Sequence, residues 1–125
     1  MTSENMIQGD DYSVEYNENT LTVTFTGTMR LRSRTDYAPI DSVLNKAYSD
    51  TGDKVLILDF RQLEFLNSSG INTISRFVIN ARKGAGASLS VLGNPEIYWQ
   101  QKSLTNLQKL WASLLKRLRA FASLA

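Results

Sequence analysis

Apolar and polar positions fall into two periods along this chain. Val14 and Tyr16 alternate with Ser13 and Glu15, and Leu21, Val23 and Phe25 alternate with Thr20, Thr22, Thr24 and Thr26. A two-residue period places one set on each face of a strand, and the Asn17-Glu18-Asn19 turn joins the two arms as a hairpin. Gly27 closes the second arm. From Tyr37 the period lengthens: Tyr37, Ile40, Val43, Leu44, Ala47 and Tyr48 predict a helix, opened by Thr35 or Asp36 and ending near Ser49, with Pro39 tolerated in its first turn.

After the turn residues 50–53, positions 54–60 form a nearly continuous apolar run, Lys54-Val55-Leu56-Ile57-Leu58-Asp59-Phe60. It predicts a strand buried on both faces, as in the centre of an α/β sheet. Ile71, Ile74, Phe77, Val78 and Ala81 then recur at helical steps, with Arg82 and Lys83 in the last turn and Gly84 as a C-cap. Residues 87–92 predict another strand, and Asn94 and Pro95 open a helix continued by Ile97, Tyr98, Gln101 and Leu104. Farther on, Leu104, Leu107, Leu110, Trp111, Leu114, Leu115, Leu118 and Phe121 trace a stripe compatible with one long helix. The order is ββαβαβα plus a C-terminal element. Residues 1–12 are polar and expected to be a flexible segment, leaving 13–125 as a single domain.

The 125 residues suffice for one ordinary core. No cysteine and no histidine occur, which removes disulfides, thiolate metal sites, cysteine nucleophiles and histidine-based triads. No apolar run approaches bilayer length and no signal-peptide pattern opens the chain, so a cytoplasmic protein without a membrane segment is expected. Net charge is only +2, though the C-terminal half is basic, from Arg76, Arg82 and Lys83 through Lys102, Lys109, Lys116, Arg117 and Arg119. These charges are spread over several elements without interleaved aromatics, which favours a solvated surface over a nucleic-acid groove.

Catalytic patterns fail on context. Gly84-Ala85-Gly86 runs from helix to strand, the reverse of a dinucleotide loop. Ser113 and Lys116 lack the companion elements of serine-lysine acyl transferases, and Ser69 has neither an elbow glycine at Asn67 nor a histidine. Asn67-Ser68-Ser69 spells a glycosylation acceptor without a secretory route. Asp59 and Glu64 read as structural carboxylates. No catalytic residue, cofactor or metal site is expected.

What remains is the junction Leu66-Asn67-Ser68-Ser69-Gly70-Ile71, where a buried strand meets a helix. A serine there is a favoured N-cap. A phosphoserine there would also be well placed, since the helix start offers unpaired N–H groups and a positive dipole end. Arg30, Arg32 and Arg34, at every second position, would project from one side of an extended segment and could meet an acidic surface.

From Ser13 to Leu110 the chain resembles a STAS domain of the anti-sigma-factor antagonist family. The resemblance rests on the order of elements, Gly27, the strand into Leu58-Asp59-Phe60, the Ser-Ser-Gly junction, and Gly84 to Gly93 around the next strand. It implies an α/β fold, a STAS-like single domain with a mixed four- to five-stranded sheet and helices packed against it. It places a turn near Trp111 and a short strand at 114–118 in place of the continuous helix. Family members typically read Asp-Ser-Ser-Gly, and the first serine is phosphorylated by a partner that is both anti-sigma factor and serine kinase, with a histidine-kinase-like ATPase fold. A metal-dependent serine phosphatase restores it. Carried over, Ser68 is the phosphoacceptor, and the partner interface comprises Asn67, Ser69, Gly70, Asn72, Thr73 and Arg76, with Arg30, Arg32 and Arg34 at its rim. Asn67 stands where the family has aspartate; it can still cap the helix but lacks the charge. The chain is thus expected to be a kinase substrate in a partner-switching pathway, with an unphosphorylated scaffold or a small nucleotide-binding module as alternatives.

Overall fold

The computed structural model describes residues 5–83, 88–94, 96, 97, 99 and 100, with 82 and 83 described by backbone alone. Among these residues five strands and two helices follow one another as β1 (Met6–Gln8), β2 (Tyr12–Asn17), β3 (Thr22–Met29), α1 (Ala38–Thr51), β4 (Val55–Leu66), α2 (Ser68–Lys83) and β5 (Ser88–Leu92). They form one mixed sheet in the order β1-β2-β3-β4-β5. The first three strands pair antiparallel, and β3/β4 and β4/β5 pair parallel. The α/β architecture expected from the sequence is therefore present. The expectations for Gly84 as a cap, for Pro95, Tyr98 and Gln101, and for everything from Leu104 onward fall outside the described residues.

The chain steps from β3 to β4 to β5 in one direction across the sheet. Crossovers between parallel strands are right-handed, so two successive steps in the same direction leave α1 and α2 on the same face. The core lies there: Val14, Tyr16, Val23, Phe25, Leu56, Leu58, Phe60, Leu89 and Val91 from the strands meet Ile40, Val43, Leu44 and Ala47 of α1 and Ile74, Phe77, Val78 and Ala81 of α2. Tyr48 fastens the two helices, donating its hydroxyl to the Ala81 carbonyl at 2.8 Å and packing edge-on against Phe77. The opposite face carries the other strand positions, including Thr22, Thr24, Thr26, Ser88 and Ser90, none of them fully buried.

This corrects the expectation that residues 54–60 are buried on both faces. Val55 is 46% exposed and Ile57 is half-buried, while Leu56, Leu58 and Phe60 are sealed. Alternation is present in burial although the residue types conceal it. Asp59, on the side that carries neither α1 nor α2, is held by Arg61, which reaches it through two side-chain hydrogen bonds of 3.0 and 2.9 Å.

Two further differences concern element limits. The N-terminal segment expected to be flexible contains β1, which pairs Met6 with Glu15 and Gln8 with Ser13 along the edge of β2. Strand β4 continues past Phe60 to Leu66, and its register against β3 shifts twice, between Thr24 and Thr26 and between Gly27 and Thr28. Each irregularity inserts an extra residue into β4. Core-facing positions consequently move from every second residue to Phe60, Leu63 and Leu66, a three-residue spacing that does not read as strand. Gly27 is held at a φ of +91°, and a Cβ there would overlap the Asp11 carbonyl, so only glycine fits this crossing of β3 and the β1–β2 turn.

Because β5 ends opposite Asp59, the second half of β4 has no strand beyond it among the described residues. Gln100, fully buried, takes that place: its Nε2 donates to the Phe60 carbonyl at 2.6 Å and the Leu63 carbonyl at 3.0 Å, and its Oε1 accepts the Asn94 N–H at 2.7 Å. Trp99 also donates to the Leu63 carbonyl and stands edge-on to Phe60, which stacks on Phe25 at 4.6 Å. Replacing Gln100→Met keeps volume but strands the Phe60 carbonyl and the Asn94 N–H. At about 1–3 kcal/mol for each buried unsatisfied group, urea unfolding should show a loss of roughly 2–6 kcal/mol with an unchanged m-value.

Candidate functional site

The β4–α2 junction is organised by Asn67. Its Oδ1 accepts the Gly70 N–H at 3.0 Å, the N-cap hydrogen bond of α2, and also accepts the Tyr37 hydroxyl at 2.6 Å. Its Nδ2 donates to the Leu31 carbonyl at 2.7 Å. A donor on one side and a carbonyl on the other leave a single consistent orientation for the amide. The cap is therefore Asn67, and Ser68 and Ser69 are the first helical residues instead of caps.

Tyr37 is 1% exposed. Burial pushes its phenol above the ordinary value, against a smaller opposing effect of the Leu31 backbone; the Asn67 carbonyl satisfies its proton. Gly70 is buried beneath this arrangement, and a Cβ there would strike both the Leu66 side chain and the Tyr37 hydroxyl. Its role is close packing, which corrects its expected place on an interface. Thr73 needs the same correction: it is 1% exposed and donates to the Ser69 carbonyl at 2.9 Å.

Ser68 is exposed, and its hydroxyl has no hydrogen-bond partner among the described residues. Ser69 is half-buried, with its Oγ 3.5 Å from the Arg32 carbonyl. Asn72 is exposed and Arg76 half-buried, the latter donating to Thr73 Oγ1 at 3.3 Å. The surface around Ser68 on α2 thus comprises Ser68, Ser69, Asn72 and Arg76.

The arginine segment lies beside it. Arg30, Arg32 and Arg34 are all exposed, but the backbone does not stay extended: Tyr37 donates its N–H to the Ser33 and Arg34 carbonyls, and Ser33 Oγ accepts the Asp36 N–H. This turn delivers the chain into α1 at Ala38, later than Thr35 or Asp36, without a side-chain cap. Arg30 sits 5.0 Å over the ring of Phe65, which is 38% exposed. No carboxylate forms an ion pair with any of the three among the described residues. The alternating arginines were legible in the sequence; the Phe65 platform and the Leu31–Asn67 tether were not, because both depend on β4 running beyond Phe60.

Asp59 and Glu64 do not form a carboxylate pair. Burial favours a neutral Asp59, but the hydrogen bonds and charge of Arg61 outweigh it and hold the carboxyl below its ordinary value; Glu64 is exposed. Among the described residues no group of three acidic, histidine or cysteine side chains could hold a metal, and no helix is long and apolar enough to cross a membrane.

No protein-family model and no curated protein matches the chain. Solved structures do. The crystal structure of the diguanylate cyclase SiaD in complex with its activator SiaC, from Pseudomonas aeruginosa, contains a chain 16% identical to this one, with a TM-score of 0.63, covering 96% of this chain and 98% of that chain. A structure of SiaC and one of apo-SiaC from the same organism match at 16% identity over 96% of this chain and 97% of theirs, with TM-scores of 0.60 and 0.61. The chain has the SiaC fold. At this identity the likeness concerns architecture alone, and it extends over nearly the whole length of both chains.

Two measurements check this geometry. Asn67→Asp retains an acceptor for Gly70 and Tyr37 but turns a carboxylate oxygen onto the Leu31 carbonyl; a loss of about 1–3 kcal/mol is expected in urea, with faster amide exchange across 31–34. Asp59, whose pKa is lowered on folding, contributes stability that is present above its unfolded pKa and lost as pH falls through the folded one. The acid limb of the stability curve should therefore flatten in Asp59→Asn.

Proposed function

We propose that this chain is a non-catalytic regulatory binding module whose docking surface centres on Ser68, and that phosphorylation of Ser68 closes that surface. The observation that carries this reading is the Ser68 hydroxyl: exposed, without a hydrogen-bond partner among the described residues, and held at the first turn of a helix by the Asn67 cap. A kinase can reach it without local unfolding, and adding a phosphate breaks no existing bond. The helix start tolerates the new charge, since no acidic side chain occupies the first turn of α2. A partner that buries the neutral hydroxyl would instead have to desolvate about −1.5 to −2 charges.

The SiaC fold supports a regulatory role, since SiaC is the activator of a diguanylate cyclase. The partner of the unmodified form is therefore sought among signalling enzymes as well as anti-sigma-type regulators. The full cycle requires a serine kinase, for which a regulator with a histidine-kinase-like ATPase fold is the leading class, and a metal-dependent serine phosphatase. Asn67 is compatible with such a cycle, because it caps α2 as an aspartate would and holds Ser68 in place.

The test is affinity capture with Ser68→Ala and Ser68→Asp chains as baits in extract of the native cells, followed by mass spectrometry. Ser68→Ala should retain the partner and Ser68→Asp should lose it by tenfold or more, and native protein should yield a phosphopeptide containing Ser68. Equal capture by both baits removes the gate. Absence of the phosphopeptide under all growth conditions favours a constitutive scaffold.

A further inference from the structure

The loop that carries the three arginines touches both chain neighbours of Ser68. The Leu31 carbonyl accepts the Asn67 amide at 2.7 Å, and the Arg32 carbonyl lies 3.5 Å from Ser69 Oγ. Ser68, between those two residues, is exposed, and so is Arg32. The loop is not free to drift from the helix start, because Asn67 ties it at one end and the 33–37 turn, closed by two bonds to the Tyr37 N–H, ties it at the other. The Arg32 backbone thus lies against the residue that follows Ser68.

The three arginines are not equivalent. Arg30 is engaged on Phe65 and borders a cleft of about 200 Å³ that Asp10 and Asp11 also line. Arg34, like Arg32, is exposed and unpartnered among the described residues, but it lies inside the turn, two residues farther along the chain from the Leu31–Asn67 tether. Arg32 has no carboxylate, ring or hydrogen-bonding partner for its guanidinium among the described residues. On α2, Arg76 already directs its Nη2 at Thr73.

Resting on the reading of Ser68 as a modified residue, we propose that Arg32 is the phosphate receiver of the switch: when Ser68 carries a phosphate, the Arg32 guanidinium turns onto it, with Arg34 as a weaker second contact. Modification then does two things to the same surface. It adds negative charge at the helix start and withdraws a positive one from the rim. Guanidinium and phosphate pair through bidentate hydrogen bonds. A partner with an acidic segment would meet Arg32 in the unmodified chain and lose it in the modified one.

The test needs neither the natural kinase nor the partner. Phosphoserine is installed at position 68 of the full chain by genetic encoding, and its ³¹P resonance is titrated between pH 4 and 8. In the parent chain the second phosphate ionisation should fall below its value in the Arg32→Ala chain by about half a unit or more. Arg34→Ala should shift it less, and Lys54→Ala, just before the far end of β4, should not shift it. Arg32→Lys should restore only part of the effect, because an ammonium cannot form the bidentate pair. Identical titration of the parent and Arg32→Ala chains overturns the proposal, as does an equal shift in Lys54→Ala, which would mean that only net charge is sensed. Either result leaves the gating by Ser68 untouched, since that is read separately from capture by the Ser68→Ala and Ser68→Asp baits.

Discussion

One primary amide holds this molecule's functional end together. The side chain of Asn67 joins the β3–α1 loop through Leu31, the start of α1 through Tyr37, and the first turn of α2 through Gly70. Both lone pairs of its carbonyl are used, and its NH₂ supplies the one donor that a carbonyl neighbour demands. No other residue of that size offers two acceptor sites and a donor in a fixed plane. Tyr37 can be buried because Asn67 accepts its proton. Gly70 must lack a side chain because Leu66 and Tyr37 fill the space. Ser68 stands at its position because the residue before it is fixed on three sides. The aspartate of the resembled family could accept twice but could not donate, so in this chain the asparagine answers a specific neighbour, the Leu31 carbonyl.

The remainder of the fold follows from two crossovers in the same direction. They place both helices on one face, which concentrates the core there and leaves a threonine- and serine-lined face opposite. They also set the pairing of β4, whose second half outruns β5 and must be finished by side chains. Gln100 and Trp99 provide that finish with three hydrogen bonds to the Phe60 and Leu63 carbonyls. The bulges in β4 let this overhang turn its side chains so that Leu63 and Leu66 still reach the core. Leu66 in turn packs over Gly70. The path from sheet edge to Ser68 is thus continuous in packing as well as in sequence.

Much of this was legible in the residues. The hairpin from Ser13 to Thr26, the two helical periods, and the strand-to-helix junction at Ser68 all follow from local pattern, because each is set by residues close in sequence. What escaped depends on contacts between elements. The run Val55 to Leu58 looks uniformly apolar, and only the handedness of the crossovers shows which half of it faces solvent. Bulges erase the period of two, so Arg61 to Leu66 reads as irregular although it is strand. Edge strand β1 is too short to carry a period at all. Thr73 and Gly70 fall among polar neighbours and resemble surface, yet the α2 rotation fixed by Ile74, Phe77 and Val78 turns Thr73 inward, where the Ser69 carbonyl takes its hydroxyl proton. At the site, the sequence could show that asparagine caps helices; it could not show that the same side chain reaches a tyrosine and a carbonyl from the β3–α1 connection.

The proposed switch would change a surface and leave the fold alone. Among the described residues every side-chain hydrogen bond at the junction involves Asn67, Ser69 or Thr73, and none involves Ser68. A phosphate on Ser68 therefore competes with no existing bond and strains no buried group. On the proposed reading, the free energy of modification goes into the local field and into the Arg32 side chain, which has no partner among the described residues. Because the loop bearing that side chain is tied to Asn67, it cannot retreat from the added charge, and because its guanidinium is unengaged, it can turn without breaking anything. Rigid backbone and uncommitted side chain are both needed. A floppy loop would dilute the response over many conformers, and an arginine already paired to a carboxylate would have to give up one ion pair to gain another, with little net change at the surface a partner reads.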